Sequence, residues 1–441
     1  MDVSCNDDGA VPGGRGVAGS ASMEDRTALR RAIPALAGAI AFALMAWLYV
    51  GGDLLLYRGL IRAWGVKVWA FPFLDTDTVL SAVRCLNRGV DAYATNPCDV
   101  LGRQYDYSPM WMVLRLFPMT RAWLSPIGLL VDGVFLLSLL LLPPGRDMRA
   151  TALIVLGVFS SATVFALERG NNDLVLFALA AGGAALALRG SALRLVGYAL
   201  ILLAGLLKYY PMAAMLSVCR ERLPRFISVA LASIAITAAF VAITWHDLVR
   251  ALAIIPIGSF SEDMFGAVIV AGRITDQFIL SPALKTAIRL SMTLVSFAAA
   301  LYLSRRRQMA TALDRLTPRE RSFLMVGALM VSGCFFTAQN IGYRAVHLLL
   351  VLPSLLALGR GPNHRLFLAA ALSCLALLWS IWWRTLVSVP PVSYLTWTLR
   401  EAMWWFLITV LDGCVLAMVF QSPTVAGLTR PGRQPARARA V

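Results

Sequence analysis

The sequence predicts an all-α integral membrane protein, because of its apolar fraction, its few charges and its long apolar runs. Of 441 residues, 59% are hydrophobic and 15% are charged. Soluble domains carry about 45–50% apolar and about 25% charged residues. The apolar residues gather in runs of about 20, the length of helix that crosses a bilayer. This composition excludes an ordinary soluble enzyme, which needs far more polar surface.

The sequence begins with a polar tail, and a series of predicted transmembrane segments follows it. Residues 1–31 contain Gly, Asp and Arg and predict a disordered cytoplasmic tail. The run at 32–51 is long enough to span and shows no convincing cleavage site. We therefore expect a multi-pass domain over 32–421. Its further candidate spans are 122–142, 150–167, 173–189, 226–245, 285–303, 322–338, 345–358, 366–383 and 402–420.

The segment 195–219 differs from the other runs, because basic residues flank both of its ends. It is either one long helix that breaks the charge rule or a hairpin of two short helices with Lys208 at its tip. Pro211 interrupts helical hydrogen bonding and favours the hairpin. Counting the hairpin, we expect a polytopic bundle of about 10–12 transmembrane helices.

The net charge of +16 is explained by membrane topology better than by nucleic acid. Cytoplasmic loops retain Lys and Arg, and the clearest such stretch is 304–321. The last residues, 422–441, are basic and Pro-containing and predict a second disordered cytoplasmic tail. Both termini are thus expected in the cytoplasm of a cell (inner) membrane protein, with a large first extracytoplasmic loop at 52–121.

That loop contains a polar stretch, 75–111, between apolar runs. A carboxylate at the bilayer surface can act as a general base, so Asp75 and Asp77 are both candidates for the site. The alternative is a solvated pair in a loop. The two carboxylates are a weak signal for a divalent ion, and we expect no cofactor and predict no metal site. A Tyr-rich segment with Tyr107 closes the stretch.

Cysteines are sparse and lack the spacing of a metal site. Cys85 and Cys98 both fall in the predicted loop and could pair if it faces an oxidising compartment. Spacing alone leaves that pairing open.

Three further corners, meaning short polar segments between predicted spans, each place a cation beside small or aromatic polar groups. At 168–173, Arg169 could clamp a phosphate while the Asn171 and Asn172 amides bind sugar hydroxyls. The alternative is a tight turn capped by Asn and Asp. Such cations suit a lipid phosphate, whose developing charge needs fixed donors. The other candidates for binding are Lys208, Tyr209, Asn340 and Arg344, and His347 is a second catalytic candidate or a structural histidine.

These residues resemble glycosyltransferase family 87 of the GT-C superfamily, the polyprenyl-phosphate-sugar-dependent transferases. The family's early motifs are matched by Asp75, by Asp91-Ala-Tyr93 and by Tyr105-Asp-Tyr-Ser-Pro109. Its later corners are matched by Arg169-Gly-Asn-Asn172, by Leu207-Lys-Tyr-Tyr-Pro211 and by the run from Asn340 to Pro353. The matches follow the family order over most of residues 70–353.

The resemblance implies a GT-C-type bundle that transfers a hexose, expected to be mannose, from a polyprenyl-phosphate sugar to a lipid or glycan acceptor. Transfer would be inverting and extracytoplasmic, with Asp75 as base, Asp77 supporting it or binding sugar, and His347 sharing the role of base. Lys208, Arg169 and Arg344 would hold the phosphate leaving group. The implied partners are the donor, the acceptor and membrane lipids, with no nucleic acid.

Two other functions remain open on the residues alone. A flippase for a lipid-linked sugar would also need cations, but it should place polar groups along the full membrane depth. Only Asp132 and Asp412 lie within predicted spans, and each is expected to be a satisfied carboxylate. A polysaccharide polymerase or ligase uses the same lipid carriers and is the second alternative.

Overall fold

The structure is a computed structural model that describes residues 16–69, 71–255, 264–278, 281–361, 364–385 and 392–429. Helices dominate these residues, with one pair of two-residue strands. The α-helices are α1 Gly16–Val50, α2 Leu54–Ala63, α3 Leu74–Asn87, α4 Leu124–Ser138, α5 Met148–Val158, α6 Ser161–Arg169, α7 Asn172–Leu186, α8 Ser191–Leu207, α9 Leu223–Ile254, α10 Ala267–Gln277, α11 Pro282–Arg305, α12 Arg307–Leu313, α13 Pro318–Thr337, α14 Leu348–Leu358, α15 His364–Leu378, α16 Ser380–Thr385, α17 Val392–Phe420 and α18 Pro423–Thr429.

Shorter elements join these helices. The strands β1 Met264–Phe265 and β2 Asn340–Ile341 pair antiparallel, a small departure from the all-α prediction. The 3₁₀ helices are Pro109–Leu116, Arg121–Trp123, Leu139–Leu141, Tyr210–Arg220 and Gly342–His347.

Several helices have the length and composition of membrane spans. Five such segments lie within the described residues, and a sixth arises if α5 and α6, bent by 44°, form one span. This agrees with a multi-pass membrane protein, while the count of about 10–12 stays a prediction. The five segments are Asp25–Val50, Arg121–Leu141, Leu223–Ile254, Pro282–Arg305 and Val392–Phe420.

Both predicted tails are partly helical, which corrects the expectation of disorder over 1–31 and 422–441. Helix α1 begins at Gly16, and Arg30 donates a hydrogen bond to the Arg146 carbonyl, which ties this part of the chain to the bundle. Helix α18 is anchored by the Thr424 hydroxyl, which donates to the Glu221 carbonyl at 2.6 Å. Residues 1–15 and 430–441 lie outside the described residues.

The predicted first loop, 52–121, is also folded. It contains α2, α3 and a 3₁₀ helix. Helix α3 packs into the protein and buries Leu74, Val79 and Ala82 among other side chains. Asp75 and Asp77 therefore stand in the first turn of a helix, and not in a solvated loop. The disulfide Cys85–Cys98 closes the segment after α3, with Cα atoms 5.8 Å apart.

We expect the double substitution Cys85→Ser and Cys98→Ser to lower the free energy of unfolding by about 2–4 kcal/mol, since the bridge closes a short loop. Thermal unfolding in detergent should show the lower Tm. Alkylation of the unfolded wild-type chain should label five of its seven cysteines before reduction and seven afterwards. Seven labelled cysteines without reduction would contradict the bridge.

The hairpin predicted at 195–219 is present. Helix α8 ends at Leu207, and the chain then reverses into the 3₁₀ helix that starts at Tyr210. The Tyr198 hydroxyl donates to Glu221 at 2.7 Å, so the two arms lie side by side. Lys208 is at the tip, as predicted, and Pro211 occupies the first turn of the second arm, where a proline is tolerated.

Helix α13 connects two chemically different ends of the bundle. Near its first residues Glu320 pairs with Arg146 at 2.7 Å, in a region that also holds Arg315 and Arg360. After its last residue the chain enters β2 at Asn340. The predicted polar corners gather at this second end, whereas the strongly basic stretch lies at the first.

Candidate functional site

Asp75 is held as a hydrogen-bond acceptor at the start of α3. Its Oδ2 accepts from the Asn171 amide nitrogen at 2.6 Å, and its Oδ1 lies 3.6 Å from an Arg103 guanidinium nitrogen. The residue is 7% exposed. The carboxylate is therefore fixed in orientation by partners from two other parts of the chain.

Asp77 faces away from Asp75, because two residues along a helix are separated by about 200°. It is fully buried and bonds Arg84 at 3.2 Å. The structure thus separates the two carboxylates that the sequence suggested as a pair. The contact with Arg84 makes Asp77 part of a buried ion pair on the other face of α3.

Asp173 is the centre of the polar cluster. Both its oxygens accept from Lys208 Nζ at 2.9 Å, and Oδ1 accepts from the Tyr210 hydroxyl at 2.6 Å. Arg344 Nε lies 3.4 Å from Oδ2, and His347 Nε2 lies 3.8 Å from Oδ1. Asp173 is fully buried. Because Lys208 and Arg344 share one carboxylate, the cluster keeps a positive charge that Asp173 does not balance.

His347 stands behind this cluster and is fully buried. Its Nε2 lies 2.6 Å from the Tyr210 oxygen, and that hydroxyl already donates to Asp173. Nε2 must then be the donor in this bond. The polar partners of His347 are Tyr210 and Asp173, so it orients the cluster and lies apart from Asp75.

Arg344 is positioned by Asn340. Its guanidinium donates to Asn340 Oδ1 at 2.5 Å, while the Asn340 amide nitrogen donates to the carbonyls of Cys334 and Ala338 at 2.7 and 2.8 Å. Asn340 also belongs to β2, which pairs with β1. Because the Asn340 side chain makes these bonds within the turn, its contribution to the site is to orient Arg344.

Asp75 and the Asp173 cluster form one site. Asn171 bonds Asp75, and Asp173 follows two residues later, so the Cα atoms of Asn171 and Asp173 are at most about 7 Å apart. The Tyr107 ring lies 5.6 Å from Lys208 Nζ and interacts electrostatically with Asp75. The sequence motifs from four separate corners thus meet at one place.

Two residues of this site, Arg103 and Asp106, were not predicted from the sequence. Arg103 bonds Asp99 at 2.8 Å; burial alone would raise the pKa of the Asp99 carboxyl, but Arg103 holds it below its usual range. Burial raises the pKa of the Asp106 carboxyl, although Lys208 and Arg344 act in the opposite direction. Asp106 lies between the motif residues Tyr105 and Tyr107, the one signal that pointed to it.

The remaining candidates lie at the edge of the site. Arg169 pairs with Glu168 at 3.1 Å and packs over the rings of Trp69 and Phe165. Asn172 has a buried amide nitrogen without a hydrogen-bond partner among the described residues. Tyr209 is half-buried at the hairpin tip.

The intramembrane carboxylates differ from each other. Asp412 accepts from the Ser332 hydroxyl at 2.6 Å, as a satisfied group should. Asp132 is fully buried, and neither oxygen has a hydrogen-bond partner in the described part of the chain. The expectation that both are satisfied is therefore wrong for Asp132.

Among the described residues, no group of three His, Cys, Asp or Glu side chains is arranged to hold a metal ion. Comparisons of the chain with protein-family models, with curated proteins and with solved structures found no match.

Proposed function

We propose that the chain is a membrane glycosyltransferase that transfers a hexose from a polyprenyl-phosphate sugar to a hydroxyl of a lipid or glycan acceptor, on the extracytoplasmic side of the cell membrane. The observation that carries the proposal is the meeting of one oriented carboxylate, Asp75, with a buried cluster in which two cations, Lys208 and Arg344, share the carboxylate of Asp173. A base and an anion site side by side are what such a transfer requires.

The reaction follows from this arrangement. The acceptor oxygen attacks the anomeric carbon, its proton passes to Asp75, and the bond from that carbon to the phosphate oxygen breaks. The polyprenyl phosphate leaves with the electron pair, and the configuration inverts because attack and departure are on opposite faces. Lys208 and Arg344 stabilise the phosphate charge, and Tyr210 and His347 hold Asp173 so that it keeps both cations in place.

An apolar groove beside the site supports a substrate with a long hydrocarbon chain. It has a volume of about 330 Å³ and is lined along α1 from Gly38 to Val50, roughly 18 Å at 1.5 Å per residue. Its lining includes Phe73 and Glu168, the residues whose backbones are joined by a 2.7 Å hydrogen bond just before α3. A chain in this groove would have its end near Asp75.

The test is release of polyprenyl phosphate from polyprenyl-phosphate mannose by purified protein in lipid, with and without a membrane-lipid extract as acceptor. Release that requires the extract supports transfer. Binding of the donor without release in any acceptor mixture would reject the proposal and favour a flippase.

We expect Lys208→Met to lower kcat/KM for the donor about 10- to 100-fold, because one charge-assisted contact with phosphate is worth about 1.5–3 kcal/mol. The change removes the charge and shortens the side chain by one atom, and Arg344 and Tyr210 still contact Asp173. Donor titration with the acceptor saturating provides the measurement. Unchanged kcat and KM would show that Lys208 only neutralises Asp173.

A further inference from the structure

A second cavity lies on the other side of α3 from Asp75. It has a volume of about 360 Å³, and its lining includes three arginines, Arg84, Arg88 and Arg121, with Asn87 and Thr120. None of the described residues that line it is acidic. Arg84 and Asp75 are nine residues apart on α3, about 13 Å along the helix, so this pocket is separate from the candidate site.

The buried wall of the pocket contains an unused donor. Arg84 uses Nη2 to bond Asp77 at 3.2 Å and the Cys98 carbonyl at 3.1 Å. Its Nη1 is buried and has no hydrogen-bond partner among the described residues. A buried guanidinium nitrogen without a partner is costly, and an anion in the pocket would satisfy it.

The surroundings of the pocket are apolar and exposed. Val100 lines it, and Leu116 and Phe117 lie just before the lining residues Met119 and Thr120, with exposures of 50%, 79% and 55%. Arg121 is the first residue of a segment that is long and apolar enough to cross a membrane. The pocket is thus placed where the chain enters the bilayer, with cations inside and apolar side chains around it.

We propose that this pocket binds the phosphate of an anionic membrane lipid, with the acyl chains against Leu116 and Phe117. Arginine guanidinium groups match phosphate geometry with several donors each, and a basic pocket at the membrane surface favours anionic over zwitterionic headgroups. Arg84 supplies the donor from the buried side, and the exposed Arg88 and Arg121 complete the contact. The proposal does not depend on the proposed transfer reaction.

The test is native mass spectrometry of the purified full chain with phosphatidylglycerol or phosphatidylcholine. The variant is Arg88→Gln with Arg121→Gln, and the matched control is Arg58→Gln with Arg62→Gln on α2, outside the pocket. We expect wild type and control to retain phosphatidylglycerol over phosphatidylcholine and the pocket variant to bind it at least about tenfold more weakly. Both pocket changes are at exposed side chains, so the fold should persist, which size exclusion and circular dichroism check.

Two outcomes would overturn the proposal. Equal retention of phosphatidylglycerol by the pocket variant and the wild type would show that the arginines bind no headgroup. Displacement of the lipid by equimolar inorganic phosphate would show a pocket for a free anion, with no contribution from the acyl chains. A Kd of phosphatidylglycerol that is unaffected by inorganic phosphate, and raised only in the pocket variant, supports a lipid site.

Discussion

Asp75→Asn should reduce sugar transfer about 100- to 10 000-fold, the range that a positioned general base contributes. The substitution keeps the size of the side chain, and an asparagine carbonyl still accepts from the Asn171 amide, so the site should keep its shape. The loss should therefore fall on kcat, with little change in donor binding. Single-turnover release of polyprenyl phosphate measures the chemical step directly.

The matched control is Asp53→Asn, which makes the same chemical change at the exposed N-cap of α2. Asparagine also caps helices well, so turnover and Tm should both stay near the wild-type values. Transfer by Asp75→Asn within a few-fold of wild type would remove Asp75 as the base. It would leave the cation cluster, and thus donor binding, as the part of the proposal still standing.

Asp173→Asn should cost about 3–5 kcal/mol of unfolding free energy, the usual effect of removing one partner of a buried ion pair. The side chains of Lys208 and Arg344 are 13% and 19% exposed, so neither is free to recover full hydration. The neutral amide cannot balance them, and it also offers Tyr210 a weaker acceptor. Chemical or thermal unfolding in detergent should show the loss.

The control for Asp173→Asn is Asp314→Asn, at the opposite end of α13. Asp314 bonds Arg321 at 3.0 Å, but their side chains are 65% and 39% exposed. Exposed pairs of this kind contribute about 0–1 kcal/mol, so this variant should unfold close to wild type. Equal stability of the two variants would mean that the Asp173 cluster is hydrated and not buried as described.

The prediction of a membrane bundle succeeded because hydropathy depends on local composition. The prediction of a hairpin with Lys208 at its tip succeeded for the same reason, since Pro211 and the flanking charges are local signals. The helical nature of 74–87 was missed, because polar residues such as Asp75 and Thr76 hide the pattern of a helix that is buried on nearly every side. Tertiary packing overrides the local signal there.

The candidate residues were predicted as separate corners, and the structure brings most of them together. Which of these residues contact each other could not be predicted from the sequence. The position of Asp173 suggested a helix cap, yet it is the shared partner of Lys208 and Arg344 from two distant segments. Arg103 was missed because nothing in its local sequence relates it to Asp75, 28 residues earlier.

The two hydrogen bonds of the Asn171 side chain fix the orientation of the Asp75 carboxylate. Its carbonyl oxygen accepts from the Asp173 backbone N–H at 2.8 Å, so its amide nitrogen must be the atom that faces Asp75 Oδ2. Turning the amide over would break both bonds. Asn171 thus fixes one lone pair of Oδ2, and Arg103 lies beside Oδ1 at 3.6 Å. The plane of the Asp75 carboxylate is therefore set by the helix cap at Asn171 on one side and by the loop that carries Arg103 on the other.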